Sequence, residues 1–401
     1  MTDDARPPRP LRLPTAGDPS SEAARRRREV LAEAGIETSR LAGEGAEPSP
    51  EELATSIEGF VGFARVPVGV FGPLRVEGEH ADGDYYVPVA TTEGALVQSF
   101  QHVANAVGRA GGFRARCTDG VVWRAPGFVF TGLRQAAAFA GWLPGQRAAL
   151  ERVVAEGSGH CRLTAVVPAV VGREVYLRLG FETGDAAGQN MVTKAASAAC
   201  TLLLDEMPDK PEHWQLESNF SGDKKATVLA LQTARGKRAS AEATLPDKLC
   251  RRYFRAGAAD LARAWSLAVT GAVQSGTVGV QANAANALAG LFVACGQDVA
   301  CVAEASAAIT RAELTPEGDL YVSTTLPGLI VGTVGGGTYL PTARECLAMI
   351  DCAGAGKAKR FAELCACVVL AGEIALMGAM AGGSYATAHA EVGKRGESTS
   401  G

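Results

Sequence analysis

The sequence predicts an α+β fold, on three observations. β-branched runs punctuated by Pro or Gly recur at 65–74, 161–183, 226–232 and 319–334. Ala/Leu-rich segments with small residues on one face fill 247–275, 282–296 and 358–382, as in closely packed helices. Strands and helices thus come in mixed runs over 401 residues, a length that suits a domain pair or one large domain with an insertion.

The elements follow in order. Residues 1–20, rich in Pro, Arg and Asp, are expected to be mobile. The run EAARRRREVLAEAGI within 21–46 has helical composition, its arginines suited to a wet face. PSPEEL reads as a capped helix start, and RVPVGVFGPL as strand and tight turns. Residues 130–160 alternate at helical spacing. Two strands then meet through Gly172-Arg173 as a hairpin within 161–183, and a helix follows over 188–204. After a polar stretch at 218–225, residues 226–232 and 319–334 read as strands. The last nine residues read as flexible, and no internal repeat is visible.

Composition narrows the function classes. Thirty-nine basic residues nearly balance forty-three acidic ones, so no global positive field exists to hold nucleic acid. Forty-eight glycines without a repeat period point to places where backbone must approach something closely. The ten cysteines form no CxxC pair or zinc spacing and lie mostly in apolar runs, which predicts free thiols, no metal and a cytoplasmic chain. The most apolar stretch, 365–383, carries Glu373 in its middle, against a membrane span, and MTDDARPPRPLRLP lacks the apolar region of a signal peptide.

Several polar residues stand in apolar or Gly-rich surroundings. Glu93 in VATTEGAL suits a helix N-terminal carboxylate as well as a catalytic one. SGDKK at 221–225 reads alone as a surface turn, CGQD at 295–298 as a helix-ending turn, and His389 in ATAHAE as a tail histidine. GTVGGGT at 332–338 follows a strand-like run and suits a structural turn or an anion cradle equally, being neither a P-loop nor GxGxxG. GDAAGQNM at 184–191 lies between a strand and a helix, where backbone N–H groups meet phosphates.

Together, and in this order, these stretches resemble the catalytic half of 3-hydroxy-3-methylglutaryl-CoA (HMG-CoA) reductase over 56–395. The matching strings are VPVGVFGPL, VATTEGALV, YLRLGFETGDAAGQNMVTK, DKK, ANAANALAGLFVACGQD, GTVGGGT and VLAGEIALMGAMAGG. PVGVxGPL and GTVGGGT are similar to the NADPH-dependent class I branch. The resemblance implies a large helical domain with an inserted ferredoxin-like NADP-binding domain. The boundaries drawn are 1–47 for an N-terminal segment, 48–159 and 217–385 for the large domain, 160–216 for the insert, 217–230 for a loop with the catalytic lysine, and 386–401 for a tail.

It further implies NADPH as cofactor, an acyl thioester (of CoA or a carrier protein) as substrate, and a homodimer with its active site at the subunit interface. The default reaction is HMG-CoA to mevalonate, with another acyl thioester as the alternative and a silent binding homologue as a third. By the same resemblance Lys224 is the cation at the carbonyl oxygen, Glu93 a carboxyl acid with a raised pKa in a buried niche, Asp298 the carboxylate linking Lys224 to Glu93, and His389 the acid for the departing thiolate. Asp185, Gly188, Asn190, Met191, Gly335, Gly336 and Gly337 fall on cofactor-binding strings, with Arg173 and Lys194 as candidates for the 2′-phosphate. Lys225 and Asn286 fall on substrate-binding positions.

There are departures from the family pattern. Gly159 aligns where an arginine grips the substrate's carboxylate. Glu217 replaces a serine, Ser266 a lysine, and His102 and Asn105 replace arginines near the CoA; a histidine is lost from the string ending at Asn286. These changes are expected to weaken the hold on a free carboxylate.

Overall fold

A computed structural model describes residues 11–14, 17–54, 56–118 and 120–383. The chain enters through α1 (Ser21–Glu33) and the short α2 (Pro50–Leu53), whose start is closed by a reciprocal Ser49–Glu52 capping box. Strands β1 (Val68–Gly78) and β2 (Asp82–Ala90) pair antiparallel, α3 (Leu96–Ala110) packs on β1, and β3 (Phe113–Thr118) joins β1 in parallel.

The chain then leaves this sheet and builds a second one. Its parts are β4 (Val122–Arg124), β5 (Gly127–Val129), α4 (Leu133–Trp142), α5 (Arg147–Gly157), β6 (Arg162–Val171), β7 (Glu174–Glu182), α6 (Gln189–Glu206) and β8 (His213–Gln215). β6 and β7 form the expected hairpin, with Gly172 at φ +60° in its two-residue turn. β7 pairs with β6 on one side and with β4 and β5 on the other, and β8 pairs with β5. With β4 and β5 taken as one broken strand, this is a βαββαβ unit in the order β8-β5-β7-β6, the ferredoxin-like arrangement expected. Its sheet extends further than the expected insert of 160–216, because β4 and β5 bring in residues from 122 onward.

Return to the first sheet follows α7 (Val228–Thr233). β9 (Lys237–Leu245) pairs with β3, so the insert hangs between two neighbouring strands of the larger sheet. The remaining elements are α8 (Asp247–Phe254), α9 (Ala258–Ser275), α10 (Ala284–Ala294), α11 (Val302–Ala305), β10 (Ile309–Leu314), β11 (Leu320–Leu329), α12 (Pro341–Met349) and α13 (Ala358–Ala381). The larger sheet runs β10-β11-β9-β3-β1-β2.

Three readings needed correction. Residues 226–232 form helix α7 rather than a strand, because Thr227 caps it by accepting from Ala230 N; a short apolar run does not fix its own period. The helical stretch 247–275 is two helices, broken where Arg255 turns into the left-handed region at φ +58°. Residues 130–160 are likewise split, by a 3₁₀ turn at Leu143–Gln146 that contains Pro144.

Helix α13 lies across the larger sheet, against β3, β9 and β11, and touches α3, α9 and α10. It is long and apolar enough to cross a bilayer, yet most of it is buried inside the fold. Two fully buried carboxylates on it organise the loops around it. Glu363 accepts from the backbone of His80 (3.0 Å), Ala81 (2.7 Å) and Cys117 (3.1 Å). Glu373 accepts from Ala282 N (3.0 Å) and Asn283 N (2.6 Å), so it satisfies the free N–H groups that lead into α10. The isolated carboxylate in an apolar run is thus a cap for a neighbouring helix.

Burial pushes the Glu373 carboxyl up to about 7, against the pull of those backbone donors. The folded protein therefore holds this proton more tightly than the unfolded chain, where the ordinary value is 4.5. Its stabilising contribution is complete below pH 4.5 and is lost as the pH rises toward 7, by about 3 kcal/mol. Glu373→Gln, which cannot titrate, should flatten the fall in urea-unfolding stability across that window. A slope identical to the parent's would show that another group sets it.

Candidate active site

The DKK loop precedes α7, and Lys224 adopts a left-handed conformation (φ +55°), uncommon for a residue with a Cβ. Its ammonium lies 2.9 Å from Asp298 Oδ2. Asp298 follows the end of α10 and starts a 3₁₀ turn, its Oδ1 accepting from Ala300 N at 3.1 Å. One carboxylate oxygen is thereby fixed by the backbone and the other is presented to the lysine. The hydrogen bond to Asp298 holds the Lys224 pKa above the ordinary lysine range, the small loss from burial opposing it. The ammonium stays charged and half-exposed.

Beneath this pair lies a frame of charges that sequence reading did not identify. Asp223 sits between two arginines, Arg124 Nη1 at 3.2 Å and Arg235 Nη2 at 2.8 Å. Arg235, 2% exposed in its side chain, donates through Nη1 to both oxygens of fully buried Glu304, at 2.6 and 2.5 Å. Burial pushes the Glu304 carboxyl up, and the guanidinium of Arg235 opposes it. Arg124 is held on all sides, donating to Thr193 Oγ1 (2.9 Å), the carbonyls of Trp123 (3.3 Å) and Gln189 (3.2 Å), and Asp223. Gln189 closes the frame: its Nε2 donates to Asp298 Oδ2 (3.3 Å) and its Oε1 accepts from Arg235 Nη2 (3.2 Å). The backbone around Lys224 is thus anchored by ions that cannot leave without stranding a charge.

Glu93 has a different partner. It lies in the turn before α3, exposed, and accepts from Asn286 Nδ2 at 3.5 Å. Asn286 is in the first turn of α10, whereas Asp298 follows that helix's C-terminal end. The chain therefore offers two pairs, Lys224–Asp298 and Glu93–Asn286, at opposite ends of an 11-residue helix. Two expectations change. Within one copy of the chain Asp298 joins Lys224 to Gln189 and does not reach Glu93, and Glu93 does not sit in a buried niche of its own chain. His389 lies outside the described residues.

The two glycine tracts do come together. Thr333 N donates to Asp185 O at 2.9 Å, and Ala186 and Val334 form a parallel bridge. Gly332 is required there, since a Cβ would stand 2.5 Å from Ala187 N. Gly188 (φ +79°) precedes α6, and a Cβ on it would lie 2.3 Å from Thr183 Cγ2. The N-cap of α6 is Gly188, which has no side chain to cap the first N–H groups of the helix. Gly335 and Gly336 have positive φ and open space where side chains would be, and with Gly337 they begin a 3₁₀ turn. Asn190 is exposed on the first turn of α6, and Met191 Sδ accepts from Ser158 Oγ at 3.5 Å. Asp185 holds the loop rather than facing outward: its oxygens accept from Gly356 N (2.7 Å) and Ala358 N (3.1 Å), at the start of α13.

Lys225 is exposed and donates to Asp223 O at 3.0 Å. The departures are also placed. Gly159 lies in the α5–β6 turn, next to Ser158 and so beside Met191, on the glycine-tract side. The arginine beside the DKK loop is Arg124, engaged with Asp223. Glu217 precedes the loop, with Oε1 accepting from Asn219 N (2.9 Å) and its other oxygen buried without a partner. Ser266 is exposed on α9. His102 packs edge-on to Tyr253 and Phe254, and Asn105 accepts from Gln101. Arg124 and Glu304 had a usable signal, each being one charge in an apolar run. Arg235, in the surface-like string TARGKR, had none.

Fold and site define a two-unit α+β protein, with two glycine tracts, one from each unit, meeting near a lysine–aspartate pair. The Hydroxymethylglutaryl-coenzyme A reductase family model matches residues 23–394. The 3-hydroxy-3-methylglutaryl-coenzyme A reductase of Pyrococcus abyssi is 39% identical over 376 residues, 92% of each chain. That of Halobacterium salinarum is 40% identical over 346 residues, 85% of each. Among solved structures, the class II enzyme of Streptococcus pneumoniae bound to NADPH superposes with a TM-score of 0.71 at 17% identity, covering 89% of this chain and 96% of that one, a likeness of fold. The chain belongs to the hydroxymethylglutaryl-coenzyme A reductase family.

Arg235→Met would leave Glu304 buried without its cation. Unfolding stability should fall by about 3–5 kcal/mol in a denaturant titration, and Glu304→Gln added to it should recover part of that loss. Unchanged stability in Arg235→Met would remove the frame from the account.

Proposed function

We propose that this chain is an NADPH-dependent reductase taking an acyl thioester through four electrons to a primary alcohol and a free thiol, with HMG-CoA to mevalonate as the reaction. The observation that carries this is the Lys224 ammonium, fixed by Asp298 and held in a rigid frame near the two glycine tracts. The cradle suits the cofactor: an uncapped helix start behind Gly188 favours a pyrophosphate, and Gly335–Gly337 let a flat ring approach the backbone. Of the two cations considered for the 2′-phosphate, Arg173 is engaged by Glu212 at 3.0 Å, which favours Lys194. NADPH, when bound, supplies a hydride to the substrate carbon in each of two steps, two NADPH being consumed per thiol released.

The chain's groups handle the charge and the protons. Negative charge grows on the carbonyl oxygen as the carbon is reduced, and the Lys224 ammonium is already charged and oriented, so it stabilises that oxygen without reorganising. The C–S bond then breaks and the thiolate takes a proton, a role assigned to His389 because a thiol is the weaker acid of the two. Reduction of the aldehyde yields an alkoxide that is protonated from Glu93, held by Asn286. Lys225, exposed beside Asp223, is the cation offered to the substrate's free carboxylate, and Arg124 holds the loop in place for it.

The two pairs lie at opposite ends of α10, so the reading places one catalytic centre between two copies of the chain, each giving what the other lacks. Ten reduced, buried cysteines support a cytoplasmic setting. A second reading, reduction of a different acyl thioester, is favoured by Glu217: a carboxylate with an unpartnered buried oxygen beside the DKK loop would repel a free carboxylate.

Purified enzyme with HMG-CoA and NADPH should form mevalonate with two NADPH oxidised per thiol released, and Lys224→Ala should lower that rate by at least a hundredfold, with NADPH binding retained. Reduction of other thioesters but not of HMG-CoA would establish the second reading. Normal turnover by Lys224→Ala would refute the role given to the ammonium.

A further inference from the structure

The geometry points to Gln189 as a positioning residue that couples occupancy of the nucleotide cradle to the Lys224–Asp298 pair. This rests on the reading of the cradle above. Gln189 is the first residue of α6, directly after Gly188, so it belongs to the backbone whose N–H groups would meet the dinucleotide. Its side chain turns away from the cradle into the charged frame. There Nε2 donates to Asp298 Oδ2 (3.3 Å), the oxygen that also receives Lys224, while Oε1 accepts from Arg235 Nη2 (3.2 Å).

Nε2 also lies 3.0 Å from Cys301 Sγ. The backbone carbonyl of Gln189 accepts from Arg124 (3.2 Å) and from Thr193 Oγ1 (2.8 Å), so the residue is tied at both ends. An amide suits this place because one planar group donates to a carboxylate and accepts from a guanidinium at once. A carboxylate would repel Asp298, and an apolar side chain would leave both partners unsatisfied.

The consequence is a mechanical link. A dinucleotide that orders the first turn of α6 fixes the backbone of Gln189 and, through its amide, the Asp298 oxygen that aims the ammonium. Binding linkage is reciprocal, so a change at Asp298 must be felt by the dinucleotide to the same extent.

The test is a double-mutant cycle read by NADPH binding, titrated by fluorescence without substrate. In the parent background Asp298→Asn should weaken NADPH binding about fivefold or more, and in Gln189→Met the same change should have no effect beyond twofold. Gln189→Met should also lower kcat about tenfold. Gln189→Glu, which keeps the acceptor for Arg235 but sets a second carboxylate against Asp298, should raise the pH at which the lysine-dependent rate falls, because added negative charge favours the ammonium. A residue that only stabilised the fold would not move that limb. Additive effects in the cycle, or an unmoved limb in Gln189→Glu, would overturn the inference. Absence of NADPH binding to the parent chain would instead reject the reading of the cradle itself.

Discussion

The site depends on how the chain keeps a guanidinium and a carboxylate out of water. Arg235 and Glu304 are nearly inaccessible, and a buried pair of this kind contributes little net stability against desolvation while being costly to break. Its value is geometric. Arg235 reaches in three directions, to Glu304, to Asp223 and to Gln189, so it fixes the loop before Lys224, the side chain beside Asp298 and α11 relative to one another. Lys224, itself half-exposed, inherits a defined position from ions beneath it.

Helix α13 plays the corresponding part for the larger unit. An apolar helix across a sheet would hold the core by packing alone, but Glu363 and Glu373 also collect backbone donors from the loops around it. Asp185 adds a third such contact from the smaller unit, closing on the start of α13. The Asp185 loop of the insert and the helix carrying Asn286 are therefore both referenced to one rigid element.

Much of this was legible in the sequence, and the rest was not for identifiable reasons. Turn chemistry at Gly172, the Ser49 capping box and the apolar periods located most elements, since those signals are local. Residues 226–232 failed because a short β-branched run carries no period long enough to choose between helix and strand. The insert was drawn too short because β4 and β5 are three-residue strands whose identity comes only from pairing, β4 with β7 and β5 with β7 and β8. The pairing of Lys224 with Asp298 appears within one chain, whereas Glu93 meets Asn286 at the other end of α10. The frame under the lysine was invisible at Arg235, where a buried arginine looks like any basic residue in a turn.

The account stands on the claim that Lys224 is a permanently charged, Asp298-anchored cation. The most direct measurement is a ¹⁵N NMR titration of the lysine Nζ groups in the parent chain and in Asp298→Asn, with Lys224 assigned by its loss in Lys224→Arg. The account predicts that Lys224 titrates above the ordinary lysine range in the parent and moves down when Asp298 loses its charge. A Lys224 signal at or below the ordinary range, indifferent to Asp298, would contradict it.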